Sequence, residues 1–364
     1  MPIHPYQALP DSSFWKRSVA GISFDEVDPV VGAKFKIGAT DRVVTAGSCF
    51  AQHIARHLQS EGFNYFVAEP PHPIVPPDIA RRNGYGVFSA RYGNVYTARQ
   101  LVQLIRRAYN EFQPSEDCWI QPDGRLIDPF RPQIQEGGFA SVAEFKADRH
   151  QHFRAVRKAI EELDVFVFTL GLTEAWSSRS DGAVFPLCPG VVGGEFDPGK
   201  HRFQNFRVLD VVGDLAEAVR IIRGKNARAR FLLTVSPVPL IATAEPTNVL
   251  VATTYSKSVL RVAAQEVADA SDFVAYFPSY EIITGGHTQG RYFGPDLRDV
   301  TDAGVARVMS LFMKHYTDKS GASSSSPVST SPSLDHRTQE IARITAVLCD
   351  EEALDRSASP RAVS

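Results

Sequence analysis

Short apolar runs alternate along the chain with longer stretches in which apolar residues recur every three or four positions. The runs are rich in Val and Phe and apolar on both faces, as strands covered by helices on both sides are. They span residues 42–46, 64–68, 164–170, 229–235 and 272–277. Helical patterns lie between or after them, at residues 49–61, 98–112, 142–163, 211–224, 254–270 and 302–316. This alternation predicts a three-layer α/β domain with a parallel sheet and helices on both faces.

Two irregular stretches interrupt the alternation. Residues 69–96 carry EPPHPIVPPD followed by GYGVFSARYGNVY, and residues 176–207 are rich in Gly and Pro. Long loops in a compact domain commonly serve as lids or binding loops. We therefore expect both stretches to have such a role.

The pattern divides the chain into four parts. Residues 1–40 form an N-terminal extension, and residues 41–317 form the α/β domain. Residues 318–334 are a Ser-rich linker, in which KSGASSSSPVSTSP is too polar to pack. Residues 335–364 are a tail, in which TQEIARITAVLCDEEAL predicts one short amphipathic helix. This helix is a candidate contact for a partner.

The composition excludes several classes of partner. The 364 residues include 39 Lys and Arg against 41 Asp and Glu, which gives a net charge of −2 and no basic cluster for nucleic acid. No apolar run approaches the roughly 18 residues of a membrane span. The first residues lack the layout of a secretory signal, and the four cysteines show no C-x-x-C pairing. We expect a cytoplasmic protein with reduced thiols.

Two nucleophilic side chains, Ser48 and Cys49, stand side by side where the first strand gives way to a helix. The stretch reads VVTAGSCFAQHIARHL. Ligands collect at the carboxyl ends of parallel strands, and a helix N-terminus there offers N–H groups to a developing oxyanion. In the structural interpretation, the same residues only make a tight turn and cap the helix. The residues of the turn alone leave both interpretations open.

His53 and His57 are four residues apart on the same predicted helix, as two zinc ligands are. The glutamate of the H-E-x-x-H motif is missing, and no third ligand is evident. We therefore expect no metal site, with His53 as a polar residue near the turn and His57 on the surface. No G-x-G-x-x-G follows a predicted strand, so we expect no dinucleotide cofactor either.

Several blocks of the sequence, within residues 40–316, resemble the GSCFA family, a branch of the SGNH (GDSL-like) hydrolases. GSCFA itself stands at residues 47–51, YGNVYTARQ at 92–100, TLGLTEAW at 169–176 and SPVP at 236–239. The stretch DLRDVTDAG at 296–304, which leads into the last helix, also fits. The resemblance implies a flavodoxin-like sheet, as in the SGNH hydrolase fold, and acyl-ester chemistry.

The resemblance implies a role for several residues. Ser48 would be the nucleophile, and its backbone N–H, together with Gly93 and Thr173, would form the oxyanion hole. Asn94 and Glu174 lie in the same two blocks and are candidate substrate-binding residues. The superfamily has Gly-x-Asn-Asp where this chain reads GLTE, so a hydroxyl with one donor hydrogen replaces an amide.

The last block departs further from the superfamily, whose pattern is Asp-x-x-His. Asp296 stands at the aspartate position, and Asp299 stands where the histidine is expected. A carboxylate with a pKa of about 4 is a weak base at neutral pH. His287, in a Gly-rich loop after the last strand, is the best-placed histidine to replace the missing one. His72 is a weaker candidate.

These features favour a serine esterase or O-acyltransferase that acts on a small acyl ester, with a carbohydrate-linked ester as one option. Ser48 would attack the acyl carbonyl, and His287, oriented by Asp296 or Asp299, would take its proton. This chemistry requires neither a metal nor an organic cofactor. The alternative is a non-catalytic or altered-activity binding protein that retains the fold, as the departure at Asp299 favours.

Overall fold

The computed structural model of the chain describes residues 4–318 and 350–357. At its centre lies a parallel sheet in the order β1 (Val43–Gly47), β4 (Val165–Leu170), β8 (Arg230–Val235) and β9 (Val274–Phe277). An isolated parallel bridge between Val43 and Tyr65 extends the sheet beyond β1. The strand predicted at residues 64–68 is reduced to this bridge because the chain then turns away, and the Ala68 N–H donates to the Ser89 carbonyl.

Helices cover both faces of this sheet, so the predicted α/β architecture is confirmed. In chain order they are α1 (Ala51–Ser60), α2 (Pro77–Arg82), α3 (Ala98–Ala108), α4 (Val142–Glu162), α5 (Val208–Lys225), α6 (Val249–Asp269), α7 (Ser279–Thr284), α8 (Asp302–Tyr316) and α9 (Glu352–Ser357). Within the two described ranges, no helix is both long and apolar enough to cross a membrane. The helix predicted in the C-terminal tail lies largely outside the described residues.

Two separate hydrophobic cores, one on each face, explain why the strands lack a polar side. Val44, Phe168 and their neighbours pack against α3, α4, α5 and α6. Val43, Val167 and their neighbours point the other way and pack against α1, α7 and α8. Burying each large apolar side chain stabilises the fold by roughly 1.5–3 kcal/mol. The parallel sheet is therefore held rigidly between two layers.

The start of α1 is displaced from its predicted position by a tight turn. The N–H groups of Ala51 and Gln52 donate to the carbonyls of Ser48 and Cys49, three residues back in each case. Regular α-helix begins only at Ala51. At the other end of the domain, α8 begins as predicted, and the Thr301 hydroxyl accepts a 3.2 Å hydrogen bond from the Gly304 N–H.

Residues 176–207, predicted to be irregular, contain most of a second sheet. In this antiparallel sheet, β5 (Glu174–Ser178) lies between β6 (Val184–Phe185) and β7 (His201–Asn205). A further hairpin pairs β2 (Trp119–Ile120) with β3 (Leu126–Ile127). These strands are short, and β7 is largely polar, so neither an apolar run nor a clear alternation marks them.

The other irregular stretch, residues 69–96, is anchored by buried ion pairs. Arg91 is 1% exposed, donates from its backbone N–H to Glu69 and forms an ion pair with Asp148. Arg131 bridges Asp148 at 2.7 Å and Asp128 at 2.9 Å. Buried charges need such partners because their desolvation is costly. These contacts hold at least the part of the stretch around Glu69 and Arg91 in place against the domain.

Candidate functional site

Ser48 lies at the carboxyl edge of the sheet, between the ends of β1 and β4. Gly47 pairs with Thr169, and the Ser48 N–H continues this pairing with a 3.0 Å hydrogen bond to the Thr169 carbonyl. Gly47 has a φ of +138°, and a Cβ there would lie 2.7 Å from the Thr169 nitrogen. Only glycine fits this conformation and this space. The turn that presents Ser48 therefore depends on Gly47.

The Ser48 hydroxyl is buried and has no hydrogen-bond partner among the described residues. The residue is 3% exposed, and its Oγ is one of a small set of buried unpartnered side-chain atoms. Gly171 closes the other side, because a Cβ at that position would come within 2.9 Å of the Ser48 Cβ. A buried hydroxyl without a partner costs roughly 1–3 kcal/mol, so it calls for an explanation.

The segment that contains Gly93 and Asn94 lies against the Ser48 turn. The Val95 N–H donates to the Gly47 carbonyl at 2.8 Å, and Asn94 accepts a long hydrogen bond of 3.4 Å from Gln52 on α1. Gly93 has a φ of +70°, which favours glycine. The structure thus brings together the first two blocks singled out in the sequence.

Thr173 and Glu174, in the third block, are occupied elsewhere. The Thr173 hydroxyl donates to Asn205 at 2.7 Å, and the Glu174 carboxylate accepts from the hydroxyl of Thr243 at 2.7 Å and the N–H of Ala244 at 3.3 Å. Burial raises the pKa of the Glu174 carboxyl. In this arrangement both side chains fix neighbouring loops, and their predicted part in an oxyanion or substrate site stays a prediction.

Asp296 and Asp299 lie on an exposed turn before α8. The Asp296 carboxylate accepts hydrogen bonds from the N–H groups of Arg298 at 3.2 Å and Asp299 at 3.1 Å. This is the local turn that a short carboxylate commonly makes with its own backbone. The structure accounts for Asp296 as a turn former, and Asp299 is exposed beside it.

His287 follows α7 in a short helical turn. Its ring lies against the backbone of Gly285, and partial burial and the positive charge of Arg307 lower the pKa of the imidazole. Among the described residues it has no hydrogen bond to an aspartate that would orient it. The triad predicted from Ser48, His287 and an aspartate therefore stays a prediction. His72 is exposed, and its ring accepts a 3.3 Å hydrogen bond from the N–H of Ile74.

Lys257 is a functional candidate that the sequence analysis did not consider. It is 1% exposed in α6, and its Nζ donates a 2.7 Å hydrogen bond to the carbonyl of Gly171, the residue packed against Ser48. Burial lowers the pKa of the Lys257 amine to about 8, although the charge of Glu351 opposes this effect. One feature of the sequence could have indicated that Lys257 is buried. It stands three and seven residues before Leu260 and Ala264, which places it on the same buried face of the helix.

Residues 350–357, here called the C-terminal segment, contact both Arg298 and the block that contains Asn94. Arg298 forms an ion pair of 3.3 Å with Glu351, and both side chains are largely buried. The Asn94 amide donates to the Asp350 carboxylate at 3.0 Å, and the Asp350 N–H donates to the Tyr96 hydroxyl at 3.1 Å. Residues 350 and 351 therefore lie on the segment that carries Gly93 and Asn94.

A cleft of about 810 Å³ opens next to this region. Gly93 and Asn94 form part of its wall, and Asp350, Ala353 and Arg356 of the C-terminal segment form another part. Ser48 does not line it. The C-terminal segment therefore forms part of the cleft wall beside Asn94.

The two histidines of α1 lie in different surroundings. Within the described residues, no group of three or more His, Cys, Asp or Glu side chains is arranged to hold a metal ion. Burial and the charge of Arg56 lower the pKa of His53 to about 4, so this ring is neutral at neutral pH. His57 is half-buried beside Glu61, and the distance between Nε2 and Oε1 is 3.9 Å.

Comparison with known proteins agrees with the blocks in the sequence. No curated protein shows significant similarity to the chain. The model of the GSCFA family matches residues 42–312, from the start of β1 to the last turns of α8. This range includes Ser48, Asn94, Lys257 and Arg298, whereas the C-terminal segment lies beyond it. The chain belongs to the GSCFA family.

Proposed function

We propose that the protein is a serine esterase or O-acyltransferase of the SGNH type, in which Ser48 forms an acyl-serine intermediate with a small acyl ester. One observation carries the proposal: the Ser48 hydroxyl at the carboxyl edge of the sheet is buried and has no hydrogen-bond partner in the part of the chain that the structure describes. An unpaired buried hydroxyl is retained at a cost that a purely structural turn has no need to bear. A hydroxyl that is not engaged by a structural acceptor can give its proton to a base, which is what activates a serine nucleophile.

The strand order supports the same class of protein. When the bridge at Tyr65 is counted, the order is bridge, β1, β4, β8, β9. This corresponds to the 2-1-3-4-5 order of flavodoxin-like sheets, whose ligands bind where the direction of winding reverses. Here that position is the crevice between the ends of β1 and β4, next to Ser48.

Two of the three oxyanion donors that the family resemblance implies are engaged in this arrangement. The Ser48 N–H is bonded to the Thr169 carbonyl, and the Thr173 hydroxyl is bonded to Asn205. Gly93, the third implied donor, is the better candidate together with Asn94, since both line the cleft and their segment packs on the Ser48 turn; the Asn94 amide has to leave Asp350 to take this role. A backbone N–H and a side-chain amide aimed at the same oxygen form a common kind of oxyanion hole.

Two groups are candidates to take the proton of Ser48. His287 is the candidate from the sequence, and Lys257 is the candidate from the geometry. The Lys257 amine donates to the carbonyl of Gly171, which packs against Ser48, and the lowered pKa of Lys257 makes its neutral form accessible near pH 8. Serine with a lysine base is a known alternative to the serine–histidine pair. We therefore favour Lys257.

The test is turnover of 4-nitrophenyl acetate by the full chain and its variants. Ser48→Ala is expected to lower kcat/KM by at least ~10³-fold, as loss of a nucleophile does. Cys49→Ala is the matched control from the adjacent position and is expected to keep most of the activity. Equal rates for wild type and Ser48→Ala would favour the alternative, a binding protein that retains the fold. An alcohol added to the assay then distinguishes the two activities, since a transferase forms a new ester with the alcohol and a hydrolase releases the free acid.

A further inference from the structure

Two carboxylates from the C-terminal segment are buried beside the candidate site. Asp350 is 7% exposed and Glu351 is 6% exposed, although Glu352, the next residue, is exposed. Burying a carboxylate is costly unless charged or donor groups receive it. The burial of these two side chains therefore indicates that nearby groups of the domain are suited to bind carboxylates.

Two side chains of the domain, both largely buried, receive these carboxylates. Arg298 pairs with Glu351 at 3.3 Å, and the charge of Glu351 also acts on Lys257. Asn94 donates to Asp350 at 3.0 Å. An arginine fork and a side-chain amide are donors that proteins use to recognise carboxylates.

We infer that Arg298 and Asn94 form a carboxylate-binding subsite next to Ser48, and that Asp350 and Glu351 occupy it as an internal mimic of an anionic substrate. The inference rests on the proposed function and adds a substrate class, namely esters that also carry a carboxylate. A carboxylate held there places the rest of such a molecule in the adjoining cleft.

Because Asp350 and Glu351 occupy the subsite, the C-terminal segment competes with substrate for it. Because the segment is covalently attached, its effective concentration near the site is high, and a free carboxylate has to displace it. Ala353, one turn later in α9, is also buried and lines the cleft, so the segment is held by apolar contact as well. Entry of substrate therefore requires residues 350–357 to leave.

The first experiment measures binding of succinate to the full chain by calorimetry, with neutral succinamide as the matched probe. The variant Asp350→Asn/Glu351→Gln is expected to bind succinate at least 10-fold more tightly than wild type. Asp355→Asn, which changes an exposed carboxylate of the same helix, is expected to match wild type. Adding Arg298→Gln to the double variant is expected to reverse the gain. Equal succinate affinity in wild type and the double variant would overturn the inference.

A second measurement needs no substitution at the site. Succinate at saturation is expected to speed hydrogen exchange of the amides of residues 350–357 in wild type, because bound succinate displaces the segment. Unchanged or slower exchange would overturn the inference. Succinate binding to Ser48→Ala separates this result from the proposed function. An ester assay without turnover, together with succinate binding that still responds to the substitutions at Asp350, Glu351 and Arg298, would contradict the esterase proposal and leave the carboxylate subsite supported.

Discussion

Asn94 donates a 3.0 Å hydrogen bond from its side-chain amide to the carboxylate of Asp350, 256 residues later in the chain. The contact joins a block of the GSCFA domain to a segment beyond the range that the family model matches. Gly93, beside Asn94, lines the cleft together with Asp350. Access to Ser48 and the position of the C-terminal segment are therefore connected in our account.

The first prediction concerns the rate at which Ser48 reacts. Asp350→Asn/Glu351→Gln is expected to speed labelling of Ser48 by a fluorophosphonate at least 10-fold, because the segment then leaves the site more often. Such a gain corresponds to about 1.4 kcal/mol in the closing equilibrium. Labelling rates from intact-mass spectrometry measure it. Slower labelling would instead mean that these carboxylates assist the reaction, and Asp355→Asn serves as the control.

The second prediction concerns Lys257 and pH. Its pKa in the folded protein, about 8, lies below the ordinary value of 10.5, so the unfolded state binds more protons between these two pH values. The contribution of Lys257 to the free energy of unfolding therefore rises as the pH increases from about 8 to 10.5. The free energy of unfolding of wild type, relative to Lys257→Met, is expected to increase by about 2 kcal/mol from pH 7 to pH 10. Urea titrations at both pH values measure it, and a constant difference would contradict the buried amine.

The third prediction concerns Gly47. Gly47→Ala is expected to destabilise the protein by about 3 kcal/mol, because alanine at a φ of +138° is strained and its Cβ collides with the Thr169 backbone. Gly213→Ala is the matched control, since Gly213 is exposed within α5 and a Cβ there meets no atom within 4 Å. That change is expected to stabilise by up to about 1 kcal/mol. Denaturation midpoints compare the two, and equal effects would contradict the turn geometry.

The fourth prediction concerns the buried ion pairs behind the cleft. Asp128→Asn is expected to cost about 3–5 kcal/mol, since it removes the most buried carboxylate partner of Arg131 and Arg149, whose remaining partners, Asp148 and Asp117, are more exposed. These arginines hold the pKa of the Asp128 carboxyl well below its usual range. Asp123→Asn, at an exposed carboxylate 4.0 Å from Arg125, is expected to change stability by less than about 1 kcal/mol. A small effect at Asp128 would show that the arginines find other partners.

The low pKa of Asp128 also sets the direction of its pH dependence. Because the folded carboxyl holds its proton less tightly than the unfolded one, its contribution is present above the unfolded pKa of 3.8. The contribution is lost as pH falls below that value. The difference in stability between wild type and Asp128→Asn is therefore expected to shrink on acidification.

The central sheet was predictable because its strands are buried on both faces, which leaves an unbroken apolar run. The position of Ser48 at the end of β1 follows from the same pattern and from the need for Gly47 in the turn. The small sheet of β5, β6 and β7 was not predictable, since β7 is short and largely polar. Such strands are stabilised by pairing, which a local pattern does not show.

The surroundings of Ser48 were harder to predict than Ser48 itself. Lys257 reads as one lysine in an amphipathic helix, and only its spacing from Leu260 indicated that it is buried. Asn94 and Asp350 are 256 residues apart in the chain, so no local signal in the sequence announces their contact. At Asp296 the motif position suggested catalysis, the structure shows a turn-forming carboxylate, and the catalytic role stays a prediction.

Identification of the residue modified by a fluorophosphonate tests the central claim most directly. The full chain is labelled, digested and mapped by tandem mass spectrometry, with Ser48→Ala treated in parallel. We predict one adduct, on Ser48 in the GSCFA block, and none in Ser48→Ala. An adduct on Cys49 or on another residue, or no adduct even in Asp350→Asn/Glu351→Gln, would contradict the account.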